Sequence, residues 1–234
     1  MSLNIEVTKK FNMVSVLLAV YNGERYLRRS IESVLNQTYE DFELLIGFNG
    51  TIDKSKEIVS DFKDKRIKIF DYGMNAGKSK TLNKMIKKAK GDWIAIQDDD
   101  DIWLPKKLEI QMEIAKKEEH DVIGSRIFYC NELDRITGMP NISLNHEEIV
   151  SRSLNGDNQI PNTSAIFKKS DAKDVDYWDE SLAGIEDFDF WLKLIKKGCI
   201  FVNVKKQLVL HRVHDKSNFN TNTYNVKELI EKYK

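Results

Sequence analysis

The sequence predicts an α/β protein with a mostly parallel central sheet covered by helices and a less regular second half. Three observations predict it. Short β-branched or leucine-rich runs alternate with stretches of helical periodicity from Met13 to about residue 118. The runs are apolar throughout, as strands buried on both faces must be. Strand–helix alternation favours parallel pairing, because each crossover helix returns the chain to the same side of the sheet.

Val14–Val20 reads as the first strand. Leu27, Ile31, Val34 and Leu35 follow at helical spacing and predict a helix with one apolar face. Phe42–Phe48 is a second strand, and Ile58, Val59 and Phe62 mark a second helix. Ile67–Tyr72 gives a third strand, and Leu82, Met85, Ile86 and Ala89 a third helix. Gly91 breaks the chain before a fourth strand, Trp93–Ile96. Leu104, Leu108, Met112 and Ala115 then predict a fourth helix. Val122–Tyr129 is a further strand.

Residues 131–163 contain two of the three prolines and read as loop with a short helix at Glu147–Leu154. Ser164–Phe167 is strand-like. Glu186–Lys197 is a helix with Phe188, Trp191, Leu192 and Ile195 on one face. Strand signals resume separately at Ile200–Val204 and Leu208–Val213. In the tail, 219–234, Val226, Leu229, Ile230 and Tyr233 have helical spacing, suited to docking on the same domain or to a membrane surface. With no repeat or linker, residues 1–234 read as one domain with its core at about 13–218.

The chain has 234 residues, with 37 Lys and Arg against 37 Asp and Glu. Zero net charge gives no reason to expect nucleic acid as a partner. Only two cysteines, Cys130 and Cys199, are present, which excludes a disulfide scaffold and fits a reducing compartment. No apolar run approaches the roughly 18 residues of a membrane span. Asn4, Glu6, Lys9 and Lys10 interrupt any leader-like apolar centre. A cytoplasmic location is the expectation.

Ligands of open parallel sheets bind beyond the carboxyl ends of the strands. There the sequence places Tyr21-Asn22-Gly23, Asn49-Gly50-Thr51 and Asp98-Asp99-Asp100-Asp101. A charge run is usually a solvated face, but this one is pinned between Trp93–Ile96 and Ile102-Trp103-Leu104. Adjacent carboxylates there repel one another unless a cation or raised pKa values relieve them. Such oxygen ligands suit Mg²⁺ or Mn²⁺ bridging to a diphosphate. Glu186, Asp187 and Asp189 open the late helix. They either oppose the helix dipole or supply a carboxylate that accepts a proton from a hydroxyl. His211 and His214 stand three apart on a strand-like segment, so one can ligate a metal while the other points away.

These segments together are recognisable. Val14-Ser15-Val16 through Tyr21-Asn22-Gly23, Ser33–Tyr39 and Phe42-Glu43-Leu44 resemble the opening of family 2 glycosyltransferases. Asn75-Ala76-Gly77 with Asn83, and Ala89-Lys90-Gly91-Asp92, are similar to the segment before the family's metal motif. Asp98–Pro105 is similar to its Asp-x-Asp-Asp stretch, and Trp178–Leu182 with Glu186–Leu192 to its late Glu-Asp motif. His211-Arg212-Val213-His214 is like its Tyr-Arg-x-His segment. The likeness spans about residues 13–218 in order.

The resemblance implies the Rossmann-like GT-A fold, with the acceptor on the side of the irregular half. It implies an inverting enzyme using Mn²⁺ or Mg²⁺, a nucleotide-sugar donor of hexose or deoxyhexose, and a glycan or lipid-linked saccharide acceptor in surface polysaccharide synthesis. Association with the inner face of the membrane goes with that acceptor. By position, Ala19, Tyr21, Asn49, Lys78, Asp98 and Asp99 would surround the nucleotide, and Asp100 and His214 would bind the metal. Asp187 matches the catalytic base, and Glu186 would help place the acceptor. Phe48 replaces the acidic residue usual after the second strand, leaving Asn49 to read the base. It also leaves the alternative of a non-catalytic member that binds glycan or protein. A phosphatase of the aspartyl-phosphate type and a sugar-nucleotide pyrophosphorylase lack their own motifs here.

Overall fold

The computed structural model describes residues 13–117, 119–215 and 226–233. The amino-terminal positions weighed for a leader and the start of the tail, 216–225, lie outside them. Strand β1 (Val14–Val20), helix α1 (Leu27–Leu35), β2 (Phe42–Phe48), α2 (Ser55–Ser60) and β3 (Ile67–Asp71) open the fold. Then come α3 (Lys78–Ile86), β4 (Trp93–Gln97), β5 (Ile102–Trp103) and α4 (Lys107–Ala115). The second half holds β6 (Val122–Cys130), β7 (Ile136–Gly138), α5 (His146–Leu154), β8 (Ile166–Lys168), α6 (Lys169–Asp174), α7 (Glu186–Lys197), β9 (Phe201–Arg212) and α8 (Val226–Glu231).

One sheet runs through both halves in the order β3-β2-β1-β4-β8-β6-β9-β5, with β7 beside β6. β1 is parallel to β2 and β4, and β2 to β3, so all four end on one edge. β8 is antiparallel to both β4 and β6, which restores β6 and its parallel neighbour β9 to the direction of β4. The carboxyl ends of β6 and β9 therefore point the same way as those of β1 to β4. β5 pairs antiparallel with the last part of β9.

Alternation along β1 explains the two layers. Val14, Val16, Leu18 and Val20 face Leu27, Ile31 and Val34 of α1 and Leu108 and Met112 of α4. Leu17 faces the opposite layer, with Leu82, Met85 and Ile86 of α3 and Phe190 and Trp191 of α7. The second layer is anchored by rings: Phe167 lies 5.1 Å from Phe190 and 5.8 Å from Trp191, and Trp178 lies 4.6 Å from Phe190. Each buried ring contributes roughly 1.5–3 kcal/mol from area alone. Those rings fix α7, and with it the acidic first turn.

The two strands expected at 200–204 and 208–213 form a single β9. Its pairing with β6 slips between Val204 and Val209, where Ser125, Arg126 and Ile127 face Val204, Gln207 and Val209. That bulge extrudes Lys205 and Lys206, whose polarity reads in sequence as a turn. β5, β7 and α6 are additional; each is too short for periodicity to reveal. Helix α8 docks on the same domain, with Leu229 and Ile230 buried against Phe188 and Leu192 of α7. Among the described residues no helix is long and apolar enough to cross a membrane.

Candidate active site

The loops after β1, β2 and β4 meet where the parallel strands end. Tyr21 is half exposed there at 51%, and Ala19 lies two residues before it, partly covered. Asn22 holds a positive φ of 54°, and its side chain accepts from the Ile52 amide at 2.9 Å. Asn49 is 4% exposed. Its amide donates to Asn75 Oδ1 at 2.9 Å and its Oδ1 accepts from the Ala76 amide at 2.8 Å. Gly50 completes this junction at φ +74°, where an added Cβ would lie 2.3 Å from the Asn75 nitrogen. Phe48 is turned into the core at 3% exposure. An aspartate there would be buried rather than offered to a base.

Each aspartate of the run after β4 has a different neighbour. Asp98 Oδ1 accepts from Lys78 Nζ at 2.5 Å. Burial of Lys78 opposes its charge, but Asp98, Glu186 and Asp187 hold its pKa above the ordinary lysine value. Asp99 packs its carboxylate against Gly23, where a Cβ would meet Asp99 Oδ2 at 2.4 Å. Burial and the neighbouring Asp100 and Asp98 push Asp99 well above the usual carboxylate range. Asp100 Oδ2 lies 3.0 Å from His214 Nε2. Burial works against its ionisation, yet the bond to His214 and the nearby His211 and Lys78 hold it below the ordinary value.

Asp101 is fully buried. Its Oδ2 pairs with His211 Nδ1 at 3.0 Å and its Oδ1 accepts from the Arg212 amide at 2.8 Å. Burial raises Asp101 to about 6. Burial opposes the charged form of His211, but Asp101 lifts the imidazole to about 9. Behind the loop, Gln97 Nε2 donates to the Asp101 carbonyl and to Ser30 Oγ, each at 2.8 Å. Ser30 Oγ in turn donates to the Asp98 carbonyl at 2.9 Å. The run is thus held by its backbone as well as its charges.

Both histidines meet the acidic run, which corrects the expectation that one points away. β9 ends at Arg212, so His214 has left the strand and the two-residue period no longer governs it. The structure adds Ser30 and Gln97 to the residues that shape the loop, and gives a place there to Arg212, which the Tyr-Arg-x-His likeness contains without a role. An arginine at a strand end reads in sequence as solvated, and nothing in its spacing marks it as 1% exposed.

The second acidic group opens α7. Glu186 is 6% exposed and its carboxylate accepts from the Gly184 amide. Gly184 takes φ +84°, which bends that amide back toward the helix start. Asp187 accepts from the Phe188 amide at 2.8 Å. Burial, and then Glu186, raise Asp187 to about 7, against the opposing pull of Lys78. Asp189, 1% exposed, faces the other way and accepts from Tyr233 Oη of the tail at 2.5 Å.

Asp100 and His214 are the residues that would hold a divalent ion: the carboxylate suits Mn²⁺ or Mg²⁺, and the imidazole adds a nitrogen donor that favours Mn²⁺ of the two. Among the described residues Asp121, Asp171 and Cys199 also bring ligand-type atoms within 4.8 Å of one another. There Lys168 and Lys197 already pair with the carboxylates at 2.7 and 2.6 Å. Burial pushes the Cys199 thiol up to about 12. A protonated thiol and two neutralised carboxylates offer no charge to a cation.

Known proteins share the sequence and fold of this chain. The family model described as glycosyl transferase family 2 matches residues 15–175. An uncharacterized glycosyltransferase of Methanocaldococcus jannaschii is 32% identical over 212 residues, covering 88% of this chain and 73% of its own. The O-antigen biosynthesis glycosyltransferase WbnJ of Escherichia coli is 30% identical over 239 residues, 94% of this chain and 90% of that one. Among solved structures, S. aureus TarS 1–349 in complex with UDP-GlcNAc superposes with a TM-score of 0.78 at 20% identity. That match covers 93% of this chain and 65% of TarS 1–349. Fold, ordered motifs and relatives together make the chain a member of glycosyltransferase family 2, of the GT-A type.

Proposed function

We propose that this chain moves a hexose or deoxyhexose, with inversion, from a nucleotide-sugar to a hydroxyl of a glycan or lipid-linked saccharide. The setting is surface polysaccharide assembly, in the cytoplasm at the inner face of the membrane. The observation that carries the reading is the convergence on one sheet edge of the Asp100–His214 pair with a carboxyl, Asp187, raised to about 7. TarS holding UDP-GlcNAc and WbnJ building O-antigen support the donor class and the pathway type.

In this reading Tyr21, Ala19 and the Asn49 junction border the nucleobase, and Asp98 and Asp99 lie beside the nucleotide's sugar. Lys78, between Asp98 and Asp187, balances the charge of the two acidic groups. Asp100 and His214 would hold Mn²⁺ or Mg²⁺, which when bound supplies Lewis-acid stabilisation to the departing diphosphate. Glu186 orients the acceptor, and Asp187 takes the proton as the acceptor oxygen bonds to the anomeric carbon. The bond from that carbon to the diphosphate oxygen breaks with its electron pair on the leaving group. Attack from the opposite side inverts the centre, and no enzyme nucleophile is needed.

Calorimetric titration with UDP, dTDP, GDP and CDP, each with Mn²⁺ and with chelator, tests the reading. One nucleotide binding only with Mn²⁺ is the expected result. Binding of none overturns the donor site and favours the non-catalytic alternative.

A further inference from the structure

Arg212, which directly follows His211, makes several separate contacts around the acidic loop. Arg212 is 1% exposed at the end of β9. Its Nε donates to the Asp100 carbonyl at 2.8 Å, and its own amide donates to Asp101 Oδ1 at 2.8 Å. Nη1 donates to the Asn131 carbonyl at 2.7 Å and Nη2 to Asp134 Oδ1 at 2.5 Å. The Tyr26 ring, at the start of α1, lies 4.4 Å from the guanidinium carbon. Tyr26 also contacts the His214 ring, with centroids 5.3 Å apart.

We infer that Arg212 is a positioning residue for the metal site, fixing the Asp100 backbone so that its carboxylate meets His214; this rests on the proposed metal role of that pair. The geometry follows from the guanidinium's shape. Three nitrogens in a rigid plane reach three acceptors on two segments, the β4–β5 loop and the turn after β6. An ammonium is a single point that cannot span them. The turn is a firm anchor: Asn131 Oδ1 accepts from the Leu133 and Arg135 amides, at 3.0 and 3.1 Å. Asp134, at φ +60°, also pairs with Arg29 of α1. The loop carrying Asp100 is thereby tied to β9, to the turn and to α1 at once. Outer partners of metal ligands commonly govern affinity by about 10- to 100-fold, because they set ligand direction before the ion arrives.

The experiment measures Mn²⁺ binding by electron paramagnetic resonance of the free ion. It uses the full chain, saturated with whichever of UDP, dTDP, GDP or CDP gives the tightest complex. Wild type, Arg212→Lys and Asp134→Asn are compared. The expected result is one Mn²⁺ per chain in all three, with affinity about tenfold weaker in Arg212→Lys and less weakened in Asp134→Asn. Loss of folded protein alone would instead lower the number of sites at unchanged affinity, and that outcome overturns the positioning role. Unchanged affinity in both variants overturns it as well. A wild type that binds no Mn²⁺ with any nucleotide overturns the metal reading itself, and this inference with it. Asp134→Asn leaves Arg212 in place, so it keeps the test decisive if Arg212→Lys does not fold.

Discussion

The two acidic groups facing the cleft differ in how they handle charge. Along Asp98–Asp101, Lys78, His214 and His211 each pair with a carboxylate, and among the described residues no cation lies at hydrogen-bonding distance from Asp99. At the start of α7, Glu186 and Asp187 accept backbone amides, among the described residues those of Gly184 and Phe188, and Lys78 reaches them as a longer-range charge. The same residue type therefore does opposite work. In the proposed reading Asp100, held below the ordinary carboxylate value, meets a cation, whereas Asp187, raised to about 7, meets a proton. Partners decide the role, and burial alone does not, since burial opposes ionisation in both groups.

The sharpest way to test that contrast is to remove the proton acceptor. Asp187→Asn should lower transfer by about a thousandfold while nucleotide binding stays close to wild type. In the wild-type rate profile, activity should fall as pH drops through about 7, because Asp187 then carries its proton. Glu186 and Asp98 push that midpoint up and Lys78 pulls it down. The sign for stability is the reverse: a raised carboxyl costs the native state as pH rises above its unfolded value. Asp187→Asn should therefore raise the melting temperature at pH 8 and leave it unchanged at pH 4. Retained turnover, or a melting shift of the same size at both pH values, would contradict the assignment.

Breaking the other group should leave the proton chemistry alone. Asp100→Asn is expected to weaken Mn²⁺-dependent nucleotide binding on the order of a hundredfold, without moving the midpoint set by Asp187. Calorimetry with Mn²⁺ and with chelator reads this directly; equal affinity in both proteins would remove Asp100 from the metal. The smallest effect belongs to the outer side of α7. Tyr233→Phe takes a donor from buried Asp189 and should cost about 1–2 kcal/mol in denaturant unfolding, with transfer little changed. A large loss of transfer there would mean that the tail shapes the catalytic turn.

The regular half was legible because its signals are local. Val14–Val20, Phe42–Phe48 and the helices between them show their partners through periodicity, and the strands fall where the alternation puts them. The acidic loop and the α7 turn were legible too, since each directly joins an apolar element. What sequence did not reveal is long-range pairing. The join of 201–212 into one strand depends on β6 opposite it, and a bulge hides its middle. Neither His211 on Asp101 nor Arg212 on the Asp100 carbonyl follows from any spacing, because the partners are more than a hundred residues apart. Phe48 shows the converse. It stands where the family has an acidic residue, and only the structure shows that its ring is buried in the core.

The close approach of Gly23 to Asp99 makes two distant positions behave as one heritable unit. A methyl at 23 would displace the Asp99 carboxylate, so the cost of enlarging one depends on the side chain at the other. Their effects will not add. Substitutions at the two positions are therefore coupled, and a larger residue at 23 is accommodated most easily once 99 carries a smaller side chain.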